Sequence, residues 1–213
     1  MGADKAHRIV QILHPTRDLS TEVRATHTWP VLGILKRLFG ESPNAAAAHA
    51  LYSVLAVQAR QVAFYTAPIS VPDTLDGRFE VIAVHGFLVM HRLKAAGPAA
   101  AGCSQTLYDL MFKHMDLSVR DLGSSDIRTG PRVRKMSNAF MGRVHAYDQA
   151  MAAPPPALED ALKRNLYRNE VPNAEALALV AEYMRREAGA LAARDTAAMM
   201  AGEVRFGPPP GTP

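Results

Sequence analysis

The sequence predicts an all-α protein: a single compact multi-helix domain with a short amphipathic N-terminal helix and flexible termini. Three observations predict it. Apolar residues recur at steps of three and four in stretch after stretch from Asn44 to Leu191. No run alternates apolar and polar residues between turn signals, as a half-buried sheet requires. The breaks between stretches carry helix punctuation, with Asn, Ser or Thr ahead of an apolar run and Gly or Pro behind it. No fixed-period repeat marks a solenoid.

Residues 1–30 settle into no single period and read as an N-terminal extension or arm. In 31–40, Val31, Leu32, Ile34, Leu35, Leu38 and Phe39 surround Lys36 and Arg37, a short amphipathic segment. A helix that short needs a surface to be stable, either the protein body or a membrane. The helical domain then spans 41–195. Asn44 caps a helix running to about Thr66, with an alanine-rich start and Leu51, Val54, Leu55, Gln58 and Val62 on one face. Pro68 and Pro72 interrupt the chain, and Asp73 or Thr74 caps a second helix from Leu75 to Lys94. Val81, Val84, Phe87 and Leu88 make that helix apolar almost all round, the pattern of a central helix. Gly97-Pro98 ends it.

Ser104 caps a third helix reaching Leu122, with Tyr108, Phe112, Met115 and Val119 on one stripe and Leu107, Leu110 and Met111 on another. Thr129-Gly130-Pro131 opens a fourth, because proline suits a first helical turn. Val133, Met136, Phe140, Val144, Tyr147 and Met151 form its ridge. Pro154-Pro155-Pro156 breaks the chain before a shorter helix carrying Leu158, Leu162 and Leu166. A last pattern starts near Asn173 and runs through Leu177, Val180, Met184 and Leu191. Residues 196–213 read as a Gly/Pro-rich tail.

A formal net charge of +4 over 213 residues is mild, yet the positive charge is concentrated. From Ile127 to Ala146 no residue is acidic, while Arg128, Arg132, Arg134, Lys135 and Arg143 are present. At 100° per residue Arg132, Lys135 and Arg143 project within an arc of roughly 80°, beside the apolar ridge. Such a basic edge docks something acidic or phosphorylated, or it is a solvated face whose partners come from another helix.

Catalytic signatures are missing. There is no phosphate-binding loop with its lysine, no His-Glu-x-x-His and no cysteine pair for zinc. His85 and His91 are six residues apart and share no helix face, and His49, His114 and His145 show no ligand spacing. Cys103, the single cysteine, excludes an internal disulfide framework and has no evident partner for nucleophilic work. Asp73, Asp76 and Glu80 crowd one helix start, where capping and the helix dipole account for them. No catalytic residue, cofactor or metal ligand is expected. Nor is a membrane-spanning helix, since no run approaches about 18 uncharged apolar residues. The N-terminus also lacks a signal-peptide core.

Val71-Pro-Asp-Thr-Leu-Asp-Gly-Arg-Phe-Glu80, Asp109-Leu-Met-Phe with Met115-Asp116, Lys135-Met136 through Ala139-Phe140, Gly142-Arg143 and Ala146-Tyr147 resemble the ubiquinol-cytochrome c chaperone family. The resemblance covers most of 40–170 in the right order. Its motif residues here are Asp73, Leu75, Asp76, Gly77, Arg78, Phe79, Glu80, Asp109, Phe112, Asp116, Phe140, Gly142, Arg143 and Tyr147. It implies a non-enzymatic assembly chaperone for respiratory complex III that binds newly synthesised cytochrome b. Further implied partners are the ribosome and its RNA, an anionic membrane surface and a small helical co-chaperone. The implied location is the cytoplasm, peripheral on the inner membrane in a bacterium, or the matrix side in a mitochondrion.

On this reading the apolar excess at Phe79, Ile82, Val89, Leu93, Tyr108, Phe112 and Met115 forms a client surface of the helix-in-groove kind. The basic edge steers the complex toward ribosomal RNA or anionic lipid. Two departures stand out: Met141 where the family usually has an aromatic, and Thr129-Gly130-Pro131 in place of a glycine-rich, lysine-containing turn. The residues alone also admit a basic helical RNA-binding module, or a helical enzyme acting on a lipid-like substrate.

Overall fold

The computed structural model describes residues 43–121, 126–168 and 170–212. The arm at 1–30 and the amphipathic segment at 31–40 lie outside the described residues. Every regular element among the described residues is helical: α1 (Pro43–Ala59), α2 (Leu75–Ala95), α3 (Ala101–Asp121), α4 (Asp126–Ala152), α5 (Ala157–Leu162), α6 (Ala174–Ala192) and α7 (Thr196–Met200). Short 3-10 turns occupy Val62–Phe64 and Gly97–Ala100, and a π-helical turn follows α5 at Lys163–Tyr167.

α2 is the axis of the fold. It contacts α1, α3, α4 and α6, so its all-round apolar sequence meets protein on every side. Every residue from Gly77 to Val89 is buried. Phe87, Val89 and Leu88 are at most 1% exposed, and each contributes about 1.5–3 kcal/mol by leaving water. Thr74 starts the helix by accepting a hydrogen bond from Gly77 N at 3.1 Å, which settles the cap between the two candidates. α3 packs across α1 and against α4, and α5 bridges α4 and α6. Asn173, near which the last helical pattern starts, caps α6, its Oδ1 accepting from Ala176 N at 2.6 Å.

Three elements depart from their sequence-based bounds. α1 stops at Ala59 rather than continuing to about Thr66. Beyond it the backbone of Gln61 is extended and the 3-10 turn swings Phe64 into the core, 2% exposed, leaving Val62 69% exposed. Burial of one phenyl ring outweighs another helical turn there. α3 begins at Ala101, three residues before Ser104, because the Gly97–Ala100 turn runs directly into it. α4 begins upstream of Pro131 and accommodates it one turn inside the helix, where proline removes a single backbone bond near a terminus.

The Gly/Pro-rich segment expected as a tail lies against the body. Gln58 Nε2 donates to Gly207 O at 2.9 Å, and Gly207 N donates to the buried carboxylate of Glu187 at 2.9 Å. Gly202 sits at φ +78, and a Cβ there would lie 2.3 Å from Ala50 Cβ, so only glycine permits the chain to close on α1. Arg92 ties down the end of α6, donating to Leu191 O at 3.0 Å and Arg194 O at 2.8 Å.

His85 occupies the centre of this arrangement, fully buried among the rings of Phe64, Tyr183 and Phe206. Its Nδ1–H donates to Val81 O at 2.8 Å, and Nε2 accepts from the Tyr183 hydroxyl at 2.8 Å. Burial pushes the imidazole down from 6.5 to about 4, so the folded protein holds it neutral while the unfolded chain protonates. Stability is therefore expected to fall as pH drops from 6.5 toward 4. His85→Phe should show a constant offset, from the orphaned Tyr183 hydroxyl, and a shallower acid slope. Urea unfolding at closely spaced pH values reads both, and an unchanged slope would refute the assignment.

Candidate functional site

Two concave surfaces flank the α2–α4 seam. The first is polar. α4 turns Arg132, Lys135, Met136, Ala139 and Arg143 toward the first two turns of α2, where Asp76, Phe79 and Glu80 meet them. The spacing i, i+3, i+4, i+7, i+11 along α4 puts these residues on one stripe. Together with Arg168 they line a hollow of about 280 Å³.

At its base Glu80 is fully buried and accepts from both Nε and Nη2 of Arg143, while Arg143 Nη1 donates to Ala139 O at 2.9 Å. The guanidinium carbon lies 5.4 Å from the Phe79 ring centroid. Burial pushes the Glu80 carboxyl up from its ordinary value, and the hydrogen bond and charge of Arg143 pull it partly back. Tyr147, one turn further along the stripe, packs on Phe87 at 5.5 Å, its hydroxyl buried and without a hydrogen-bond partner among the described residues. Burial, reinforced by the Glu80 charge, drives that phenol well up.

Gly77 fixes how the loop before α2 meets the helix. A Cβ on Gly77 would lie 1.9 Å from Pro72 O, and backbone yields less than a side-chain tip. Gly77→Ala is expected to destabilise the protein by at least about 1–3 kcal/mol, read as a lowered urea midpoint at unchanged slope. The adjoining motif residue Arg78 donates to Asp73 Oδ2 at 2.9 Å and stacks over Tyr65 at 5.1 Å. These contacts hold the α2 start in place.

Of the basic edge, Arg128, Arg134 and Lys135 are exposed. Arg132 is exposed too but lies 3.5 Å from Asp76 Oδ1. Arg143 corrects the expectation: it shares the stripe yet turns inward, committed to Glu80, so it presents no surface charge. Arg168, which sequence reasoning did not single out, reaches Asp76 Oδ2 at 3.4 Å and Glu80 Oε1 at 4.0 Å. No sequence signal brings it there, since it enters from the turn after the π-helix.

The expected client surface is corrected more extensively. Phe79, Ile82, Val89, Leu93 and Met115 are all buried, between 0% and 8% exposed. They are core residues: α2 is covered on every side, and Met115 of α3 belongs to the same core cluster. Only Tyr108 and Phe112 remain partly exposed, their tilted rings 4.9 Å apart and 6.1 and 5.8 Å from buried Phe140. Among the other motif positions, Leu75 packs partly buried on the core. Asp109 accepts from Gln105 at 2.9 Å, Asp116 pairs with Arg120 at 2.6 Å, and Gly142 faces open space.

The second surface is apolar and open. Met90 and Leu93 from α2, Tyr108 from α3 and Met141 from α4 border a groove of about 670 Å³. Gly97, Ala100, Ala101 and Ser104 leave the hollow because their side chains are too small to fill it. Met141 is 53% exposed. The thioethers of Met90 and Met141 suit a lining that must adapt to more than one shape. Tyr108 keeps its hydroxyl on Ser137 Oγ at the rim.

No catalytic constellation accompanies either surface. Cys103 is buried, and burial pushes its thiol up, against thiolate character. His91 contacts Asp148 at 2.9 Å and His114 stacks on Tyr52 at 4.5 Å. Among the described residues no group of three or more His, Cys, Asp or Glu is placed to hold a metal ion. No helix among them is long and apolar enough to cross a membrane.

The family model described as ubiquinol-cytochrome C chaperone matches residues 68–206, which include both surfaces. A crystal structure of the Cbp3 homolog from Brucella abortus superposes with a TM-score of 0.70 at 33% identity, covering 84% of this chain and 97% of that one. The ubiquinol-cytochrome-c reductase complex assembly factor 1 of Xenopus laevis is 26% identical over 118 residues, 55% of this chain and 59% of its own length. Its counterpart in Drosophila melanogaster is 25% identical over 172 residues, covering 75% of this chain and 66% of its own. The chain thus spans about three-fifths of the length of the Xenopus relative. With the family model covering well over half its residues and an all-helical fold shared with the Brucella protein, the chain belongs to the ubiquinol-cytochrome C chaperone family.

Proposed function

We propose that the protein is an assembly chaperone for ubiquinol-cytochrome c reductase that shields newly synthesised cytochrome b in its apolar groove. The observation that carries this reading is an open groove of about 670 Å³, bordered by Met90, Leu93, Tyr108 and Met141, in a member of this chaperone family. Cytochrome b is a hydrophobic client, and an amphipathic or apolar helix laid into a groove satisfies its side chains without a specific sequence code. Methionine lining lets one groove accept successive client segments. The reaction is binding and release, with no bond made or broken.

The exposed edge of Arg128, Arg134 and Lys135 supports a second contact, with ribosomal RNA or an anionic membrane surface where the client emerges. A small helical co-chaperone completes the proposed set of partners. In a bacterium this places the protein in the cytoplasm, against the inner membrane.

A photo-crosslinking residue at position 141, expressed in native cells, tests the client reading. Crosslinks from position 141 to cytochrome b are the expected result. Recovery of RNA without cytochrome b would favour a nucleic-acid-binding module instead, and recovery of neither would refute the groove.

A further inference from the structure

Beyond the client groove, the polar hollow has a charge balance that its own side chains do not close. Among the described residues that line it, Arg132, Lys135, Arg143 and Arg168 stand against two carboxylates, Asp76 and Glu80. Glu80 and Arg143 satisfy each other at the base. The outer contacts are loose: Arg132 and Arg168 lie 3.5 and 3.4 Å from Asp76, longer than the about 2.7–2.9 Å of a good charge-assisted bond. Lys135 has no ion-pair partner among the described residues.

The three outer cations come from separate positions, two from α4 and one from the turn beyond the π-helix. Arg168 is held there at φ +51, unusual for a residue with a side chain. A self-sufficient salt-bridge network would not leave a net positive, concave, solvent-open hollow of about 280 Å³.

We propose that this hollow binds a phosphate group, with Arg132, Lys135 and Arg168 as its ligands and the Glu80–Arg143 pair as its rigid base. Two guanidinium forks and one ammonium match the tetrahedral oxygens of a phosphate, and partial desolvation strengthens each contact. Asp76, with its side chain 53% exposed, swings outward as the phosphate takes its two arginines. The phosphate comes from a phospholipid headgroup or from a free phosphate ester. The proposal rests on the anionic-partner reading of the basic edge and narrows it to one place.

Calorimetric titration of the full chain with inorganic phosphate and glycerol 3-phosphate at fixed ionic strength is the test. Co-sedimentation with phosphatidylcholine vesicles, with and without phosphatidic acid, forms a second arm. Lys135→Met/Arg168→Asn removes two ligands, and Arg128→Ser/Arg134→Ser alters the edge outside the hollow. The expected result is saturable phosphate binding, weakened at least about tenfold in the first variant and kept in the second, with melting temperatures unchanged.

Vesicle binding lost by the first variant identifies the headgroup as the source. Saturable phosphate binding without vesicle binding supports the hollow with a free ester and removes the membrane reading. No saturable phosphate binding, or equal binding by the first variant, overturns the proposal. Vesicle adhesion lost only in the second variant, with no phosphate saturation, overturns the hollow and leaves the basic edge standing.

Discussion

Arg143→Ala is expected to destabilise the protein by about 3–5 kcal/mol, because it strands a fully buried carboxylate. For a domain of this size that is a fall in melting temperature of about 6–20 °C. The cost comes less from the pair itself than from Glu80 left without compensation, since Arg168, at 4.0 Å, is the nearest remaining cation. Glu80→Leu combined with Arg143→Met should recover most of the loss, because two apolar side chains leave nothing to desolvate.

The pH dependence separates this account from simple loss of packing. The folded state holds the Glu80 proton more tightly than the unfolded chain does, so the contribution of Glu80 is largest in acid and is lost as pH rises through its raised value. Removing Arg143 takes away the main influence lowering that value. The deficit of Arg143→Ala relative to wild type should therefore shrink on acidification and grow toward neutral pH. Denaturant unfolding of both proteins across that range measures it, and a deficit independent of pH would show that packing is responsible.

The helices were legible because the information that makes them is local. Thr74 and Asn173 cap where their side-chain oxygens can reach a free backbone N–H, and the all-round apolar sequence of α2 predicts its central place. The same periodicity misled where the answer depends on how many neighbours cover a face. Ile82 and Val89 read as surplus apolar surface, yet four helices surround them. α1 ended early because Phe64 gains more by burial than by helical continuation, a comparison no window of sequence contains. The Glu80–Arg143 pair joins residues 63 apart, and a glutamate at a helix start already had a sufficient local explanation. The groove was hidden for a related reason: small residues at the α2–α3 junction predict a turn, and only the packing of α4 across it makes a hollow.

That hollow carries the second large effect. If the groove holds the proposed client, Met90→Asp with Met141→Asp is expected to weaken capture at least about a hundredfold, since both carboxylates would have to leave water beneath a bound apolar helix. The fold should tolerate the change better than the complex does. Met141 is 53% exposed and Met90 partly so, and exposed substitutions usually move stability by within about 0.5 kcal/mol. Met141→Leu preserves volume and apolarity, and should leave capture within about tenfold of wild type. Val57 provides the control, because it is 58% exposed in a separate apolar hollow beside Val204 and Phe206. If Val57→Asp abolishes capture while the paired methionine variant keeps it, the client lies along α1 and the C-terminal segment. Loss confined to the methionine variant, with circular dichroism and melting unchanged, would place a client helix across Met90 and Met141. The adaptable thioethers would then explain how one groove fits client segments of different shape.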